Sequence, residues 1–237
     1  FTENRNALLI KPEGGVLVST PKSTAAENLF NCTTKIMLGE AGSGETESDV
    51  KTSGEYKQEL IENIINEKRD DQKKYLVSGL GFIQPDDFLF TTDLKKDSSE
   101  MAFKLVIEKI PEFSAGSKMF LNPRIYKIWN AKLPSEKNRK SDFYFECPFI
   151  KTDTTIYQLP ESYTVENLPE AKDNKFEYGS FKTNYTYDDK SNTITSIASL
   201  HLSQNVIPAE KYELTHKFFS NVIEEYTEKI IILLRMS

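Results

Sequence analysis

Short stretches in which apolar and polar residues alternate are the feature that most limits what this chain can fold into. The pattern is clearest in residues 101–107, where Met, Phe, Leu and Ile occupy every second position, and it returns in residues 193–200. Side chains that alternate with a period of two lie on opposite faces of a β-strand. The chain is therefore predicted to consist mainly of half-buried strands.

The first part of the chain starts with a predicted hairpin. Residues 7–10 and 16–18 are apolar and flank a turn that contains one Pro and two Gly. A third strand is predicted at residues 34–38. Residues 39–52 are acidic and alternate only weakly, so they are predicted to form an exposed strand and loop.

The period then changes to that of a helix. Tyr56, Leu60 and Ile64 recur at helical spacing, and Gly79 is a natural stop signal. This pattern predicts a helix near residues 54–79, or two helices joined near Asp70 and Asp71.

The last hundred residues contain short aromatic and Thr-rich strands separated by turns, a spacing typical of a β-sandwich. One apolar stripe breaks this pattern near residues 208–226, where Tyr212, Phe219 and Tyr226 recur at helical spacing. Residues 229–234 follow and are predicted to form a fully buried final strand.

These patterns predict an α+β fold that is predominantly antiparallel β. Residues 1–135 are expected to form a mixed antiparallel sheet with a helical insertion near 54–79. Residues 136–237 are expected to form a β-sandwich module with one C-terminal helix. The polar run at residues 134–141 is the proposed boundary.

Composition excludes several classes of function. The 30 Lys and Arg residues are outnumbered by 36 Asp and Glu residues, which gives a formal charge of −6 and argues against nucleic acid as a general partner. The apolar runs fall short of the roughly 20 residues that span a bilayer, so no membrane span is expected.

Two Cys and two His residues leave little material for nucleophilic catalysis. Cys147 with His201 or His216 is the one route to a thiol nucleophile, and a catalytic Cys needs a base within hydrogen-bond reach. Cys147 lies in an apolar setting and His216 lies on a helical stripe. We therefore assign no catalytic residue, and Cys32 and Cys147 are expected to be buried thiols, although a disulfide remains open.

No metal or cofactor is expected either. The paired residues Asp86–Asp87 and Asp188–Asp189 could supply oxygens to calcium, but paired Asp usually caps a turn. Residues 39–44 are Gly-rich but acidic and lack a following Lys, which makes them a poor phosphate cradle. No cofactor-binding or metal-binding residue is assigned.

Aromatic residues are the remaining candidates for binding. Five Tyr residues lie on predicted strands: Tyr144, Tyr157, Tyr163, Tyr185 and Tyr187. Most are expected to belong to the core or to cross-strand pairs. The alternative is an exposed strip that binds a sugar or a peptide.

Three motifs carry a resemblance to a known family. They are the run from Ile156 to Pro169 (IYQLPESYTVENLP), the run Phe176–Phe181 (FEYGSF), and the run Ile207–Tyr212 (IPAEKY) followed by Phe218 and Phe219. Together they resemble the β-rich module that follows the transglutaminase-like domain in bacterial exported multidomain proteins. The resemblance covers residues 141–237, and residues 1–45 resemble the segment just after such a catalytic core.

The resemblance implies a non-catalytic accessory region that supports an upstream catalytic domain of the same protein, or that recognises a substrate or partner. It implies a periplasmic or cell-surface location, with a signal peptide upstream of Phe1, and no catalytic residue is carried over. The alternative is a free-standing cell-surface module that binds glycan or protein.

Overall fold

The structure, a computed structural model, describes residues 6–65, 67–91, 99–135 and 138–235. The first elements are β1 (Asn6–Lys11), β2 (Gly14–Ser19), β3 (Leu29–Leu38), β4 (Gly44–Thr52), α1 (Gly54–Leu60), α2 (Arg69–Lys74), β5 (Asp87–Phe90), β6 (Glu100–Ile107), β7 (Phe113–Ala115) and β8 (Lys118–Leu121). The later elements are β9 (Phe143–Tyr144), β10 (Phe149–Gln158), β11 (Tyr163–Asn167), β12 (Asp173–Phe176), β13 (Gly179–Asp188), β14 (Thr193–Leu202), β15 (Val206–Ile207), α3 (Tyr212–Glu224) and β16 (Ile230–Leu234).

The largest sheet has eight strands in the order β12-β13-β14-β10-β3-β4-β6-β5. Neighbouring strands are antiparallel except β3 and β10, which run parallel and join the two halves of the sequence. The sheet thus takes strands from both sides of residue 135. The division at that residue stays a prediction, residues 136 and 137 beside it lie outside the described part, and the separate β-sandwich is not confirmed.

A second sheet has four strands in the order β11-β16-β8-β7, and two further pairs, β1–β2 and β9–β15, form two-stranded sheets. The prediction of a fully buried last strand is wrong for part of β16. Ile230 and Ile232 are buried, whereas Leu234 is exposed. β16 is half-buried because only one of its faces points into the core.

The prediction of an exposed strand and loop at residues 39–52 is also wrong in part, because β4 lies in the middle of the large sheet. Thr46, Ser48 and Val50 on one face of β4 are buried, while the acidic residues between them face solvent. The turn before β4 contains Gly42 at φ 87°, a left-handed conformation that favours Gly.

The helical insertion lies where the period change predicts it. π-helical turns Ile61–Ile65 and Tyr75–Leu80 extend α1 and α2. α2 begins at Arg69, slightly before the predicted junction at Asp70. Leu60, Ile64 and Leu76 are completely buried, so the insertion packs against the common core of the two sheets.

The predicted C-terminal helix is present as α3, with a 3-10 turn on each side at Ala209–Lys211 and Glu225–Thr227. Its buried face includes Tyr212, Thr215, Phe219 and Val222. The same face continues to Glu225, a completely buried acid. No helix among the described residues is long and apolar enough to cross a membrane.

Candidate functional site

Both candidate nucleophiles are buried, and the two candidate bases lie on β14 and α3. Cys32 and Cys147 are buried thiols that are not joined in a disulfide. His201 lies on β14 opposite Ser180 and on the face away from the buried Leu200, and His216 is half-buried on α3. Burial, followed by the nearby Asp153 charge, raises the pKa of Cys32 well above its ordinary value. A thiol held neutral in this way is a poor nucleophile.

The paired Asp residues are used by the backbone around them. Asp188 accepts hydrogen bonds from the backbone N–H of Lys190 and the hydroxyl of Ser191. Asp86 accepts one from the backbone N–H of Glu108. In the parts of the chain that the structure describes, no group of three or more His, Cys, Asp or Glu side chains has an arrangement that could hold a metal ion.

The most distinctive surface feature is a groove of about 420 Å³ that three separate parts of the chain line. We call it the aromatic groove. α1 contributes one wall, the segment at residues 129–134 contributes the second, and residues 143–149 contribute the third. The aromatic residues that line it are Tyr56, Trp129, Phe143, Tyr144, Phe145 and Phe149.

Ring contacts hold the walls of the groove in place. Trp129 stacks on Phe149 with ring centroids 5.8 Å apart and an interplanar angle of 11°, and it contacts Phe219 of α3 at 4.5 Å. Its indole N–H donates a hydrogen bond of 2.6 Å to the carbonyl of Ala131. Because two rings pack against the indole and its N–H is hydrogen-bonded, we expect Trp129 to be a rigid part of the wall.

Three carboxylates also line the groove, those of Glu55, Glu59 and Glu146, together with one cationic side chain, Lys132. Burial raises the pKa of Glu59, the charge of Lys151 opposes the shift, and the charges of Glu146 and Glu55 add to it. The hydroxyl of Tyr75 donates a 3.4 Å hydrogen bond to Glu59. The groove is therefore aromatic at its walls and predominantly acidic in its lining.

Lys151 lies behind the aromatic walls. Its Nζ is 4.8 Å from the ring centroid of Tyr56, and the centroids of Phe30, Phe149 and Trp129 are 5.7, 5.7 and 5.8 Å away. Burial lowers the pKa of Lys151 to about 8, against the opposing effect of Glu59. We call these four rings and this ammonium the lysine cage.

A second polar centre lies deeper in the core, and we call it the ion cluster. Arg124 donates from one guanidinium nitrogen to Glu225, and its Nε lies 3.6 Å from Asp153 Oδ2. All three side chains are completely enclosed. The hydroxyl of Tyr185 donates to the other oxygen of Glu225.

Charge is imperfectly balanced in the ion cluster. Asp153 Oδ1 and Arg124 Nε are buried without a hydrogen-bond partner among the described residues. Burial raises the pKa of Asp153 to about 7, although Arg124 and the 2.9 Å hydrogen bond from Thr155 oppose the shift. Two carboxylates share one guanidinium, and protonation of Asp153 removes the surplus negative charge.

Neither the lysine cage nor the ion cluster is predicted by the sequence patterns. Four of the five Tyr residues on predicted strands have the burial expected for core and cross-strand positions. Tyr157, Tyr163 and Tyr185 are buried, and Tyr187 is half-buried. Tyr144 alone of the five lines the groove. A usable signal was present for Lys151, which occupies an inward position between the buried Phe149 and Asp153.

Comparison with known families gives a match in the later part of the chain. Residues 117–232 match the model of a family described as a domain of unknown function with a solved structure (DUF3858). The segment includes every residue of the ion cluster. It also includes two walls of the aromatic groove, whereas α1 lies outside it.

A solved structure from Parabacteroides distasonis ATCC 8503, described as that of a candidate protease, is similar to part of the chain. The identity is 12%, the TM-score is 0.36, and the match covers 42% of this chain and 20% of the other. The chain thus spans about a fifth of the length of that protein. A comparison with curated proteins gives no match.

Proposed function

We propose that this chain is a non-catalytic accessory region and that its aromatic groove binds a basic segment of a partner protein. The observation that carries the proposal is the convergence of six aromatic side chains and three carboxylates in one groove. Concave sites with apolar walls and a few placed polar groups are the usual form of a ligand site.

Charge complementarity favours a basic occupant. The faces of aromatic rings attract cations, and carboxylates at the rim strengthen that attraction. Glu55, Glu59 and Glu146 line the groove together with Lys132, so its lining carries more acidic than basic side chains. A Lys or Arg side chain of a partner supplies a cationic tip for the carboxylates and an aliphatic stem for the rings.

The resemblance of the C-terminal motifs supports the wider setting that we propose. In that setting the region belongs to a transglutaminase-like protein of the periplasm or cell surface, and the upstream catalytic domain is one partner. The buried, neutral thiol of Cys32 supports the absence of chemistry in the region itself.

Trp129 allows a direct test because it is the one Trp of the chain and lines the groove. We expect the peptide acetyl-Phe-Lys-Phe-Lys-amide to change the intrinsic fluorescence in a saturable way, and the matched peptide with Glu in place of Lys to leave it unchanged. The affinity should fall as salt rises, because charge pairs at a rim are screened.

Glu59→Gln and Glu146→Gln should each weaken binding of the basic peptide about tenfold, which corresponds to about 1.4 kcal/mol. Glu100→Gln, at an exposed position of β6 outside the groove, is the control and should bind as the unmodified chain does. Equal binding of the acidic peptide, or a fluorescence change with oligosaccharides in place of peptides, would contradict the proposal.

A further inference from the structure

Lys151 differs from the other basic side chains of the interior because it lacks a polar partner. Among the described residues, no carboxylate, carbonyl or hydroxyl makes a hydrogen bond or ion pair with its Nζ, whose contacts are the four rings of the lysine cage. An ammonium normally donates three hydrogen bonds. An amine without such bonds is less strongly held in its protonated form.

The amine is not completely sealed from solvent. Arg124 Nε and Asp153 Oδ1 are the described side-chain atoms that are both sealed from solvent and without a partner. Lys151 Nζ also lacks a hydrogen-bond partner but is not among the sealed atoms, and the residue is half-buried. Tyr56, Trp129 and Phe149 are shared between the lysine cage and the aromatic groove, so the amine lies directly behind the groove.

Burial favours the neutral form of this amine. The rings and the inner face of β10 provide little solvation for a charge, and burial lowers the pKa of Lys151 to about 8 even though Glu59 opposes the shift. Half of the amine is then unprotonated near pH 8, whereas an exposed Lys, with a pKa of about 10.4, is almost entirely protonated there. Desolvated lysines of this kind are the ones that act as nucleophiles toward carbonyl groups.

We propose that Lys151 is a nucleophilic lysine that forms an imine with an apolar or aromatic aldehyde entering from the aromatic groove. The neutral amine adds to the carbonyl carbon and forms a carbon–nitrogen bond. The carbonyl oxygen then leaves as water with the two protons that the nitrogen loses. The step consumes no oxidant or reductant, and the aromatic walls hold the apolar body of the aldehyde.

Benzaldehyde is the probe, and sodium cyanoborohydride traps the imine as a benzyl-amine that peptide mass spectrometry locates. Near pH 8 we expect labelling of Lys151 at least tenfold faster than labelling of the exposed Lys182, with half of the maximal rate near pH 8. Lys151→Arg should lose the fast label and leave labelling of Lys182 unchanged. Lys182→Arg is the matched control and should keep the fast label on Lys151.

Labelling of Lys151 no faster than that of Lys182 would overturn the proposal, as would a pH profile that rises only near pH 10. The labelling rates of Lys151 and Lys182 are compared within the wild-type protein, so misfolding of a variant cannot hide the result. The test uses no basic peptide, and each of the two proposals for this region can therefore fail without the other.

Discussion

Arg124 and Lys151 are two largely buried cations of one molecule, and they differ in the groups that compensate their charge. Arg124 is enclosed with Glu225 and Asp153, and its charge is compensated by ion pairs. Lys151 is surrounded by rings, and its charge is compensated by weak cation–ring attraction and by the charges of Glu59 and Glu146, without an ion pair.

The difference follows from the chemistry of the two groups and from their place in the fold. A guanidinium presents several donors in a plane and keeps its proton at any ordinary pH, which suits a permanent buried pair. An ammonium changes its pKa readily when it is desolvated. The ion cluster lies entirely within residues 117–232, whereas Lys151 lies beside a groove that has one wall, α1, outside that segment.

The largest effect is expected when the ion cluster loses its cation. Arg124→Met leaves Glu225 and Asp153 buried without a counter-charge, and breaking a buried pair in this way costs about 3–5 kcal/mol. Urea denaturation measures the loss. Lys51→Met, which removes one side of an exposed 3.2 Å pair with Glu100, should cost no more than about 1 kcal/mol.

Glu225→Gln keeps the shape of the acid and provides a second measurement if Arg124→Met does not fold. It should also destabilise the protein by more than the Lys51 control, because the guanidinium loses its closest partner. Similar losses for the buried and exposed variants would show that the ion cluster does not differ energetically from a surface pair.

The second-largest effect is expected in the pH dependence of stability that Asp153 of the ion cluster causes. Asp153 has a pKa near 7 in the folded protein and an ordinary value of 3.8, so the folded state binds more protons between these values. Stability then falls as pH rises from about 4 to about 7. Asp153→Asn cannot ionise and should flatten this part of the profile, measured as the difference between variant and wild type in urea denaturation at pH 5 and pH 8.

Asp49→Asn is the matched control for that measurement, because Asp49 is exposed on β4. Its profile should follow that of the wild type between pH 5 and pH 8. An unchanged profile for Asp153→Asn would mean that Asp153 stays ionised in the folded protein throughout this range.

The strands and helices were largely predictable because they depend on local periodicity. β6 and β14 show clear alternation, and α3 shows a helical stripe. The burial of β4 is not evident from the sequence because its buried face carries Thr46 and Ser48, which are not apolar. Thr34 and Ser48 satisfy each other with a 3.0 Å hydrogen bond across the sheet, and hydroxyl pairs of this kind are invisible to a search for hydrophobic alternation.

The two polar centres could not be predicted because their members meet only in the folded chain. Arg124 and Glu225 are 101 positions apart. The walls of the groove meet because β3 and β10 pair in parallel, which no local pattern specifies. Glu225 lies on the buried face of α3 and its following turn, yet an acid at that position in a sequence normally indicates a solvent-facing site.

Replacement of the caged lysine should have a much smaller effect than replacement of the paired arginine. Lys151→Met fills the lysine cage with an apolar side chain, so the lost cation–ring attraction is offset by the removal of a poorly solvated charge. We expect the free energy of unfolding at pH 7 to stay within about 1 kcal/mol of the wild-type value. A loss as large as that of Arg124→Met would remove the energetic distinction between the two cations.

The same variant should change the alkaline part of the stability profile. Wild-type stability should rise as pH increases from about 8 to about 10, because the unfolded chain still binds the proton that Lys151 has released in the folded protein. Lys151→Met should lose this rise. Lys104→Met, at an exposed position on β6, is the control and should keep it.

The smallest effect is expected from the β1–β2 hairpin, which provides a reference for apolar groups that the fold does not enclose. Leu8, Ile10 and Leu17 are 64%, 81% and 67% exposed, and an apolar side chain that stays in water adds almost nothing to stability. Deletion of residues 1–19 should therefore change the free energy of unfolding by less than about 0.5 kcal/mol in urea denaturation, within the range typical of changes at exposed surfaces.

Leu121→Ala is the control for the deletion, because Leu121 is completely buried and truncation of a buried Leu costs about 2–5 kcal/mol. The two measurements together test whether burial alone decides what an apolar side chain contributes in this molecule. A loss from the deletion that approaches the loss from Leu121→Ala would mean that the hairpin packs against the rest of the protein in solution.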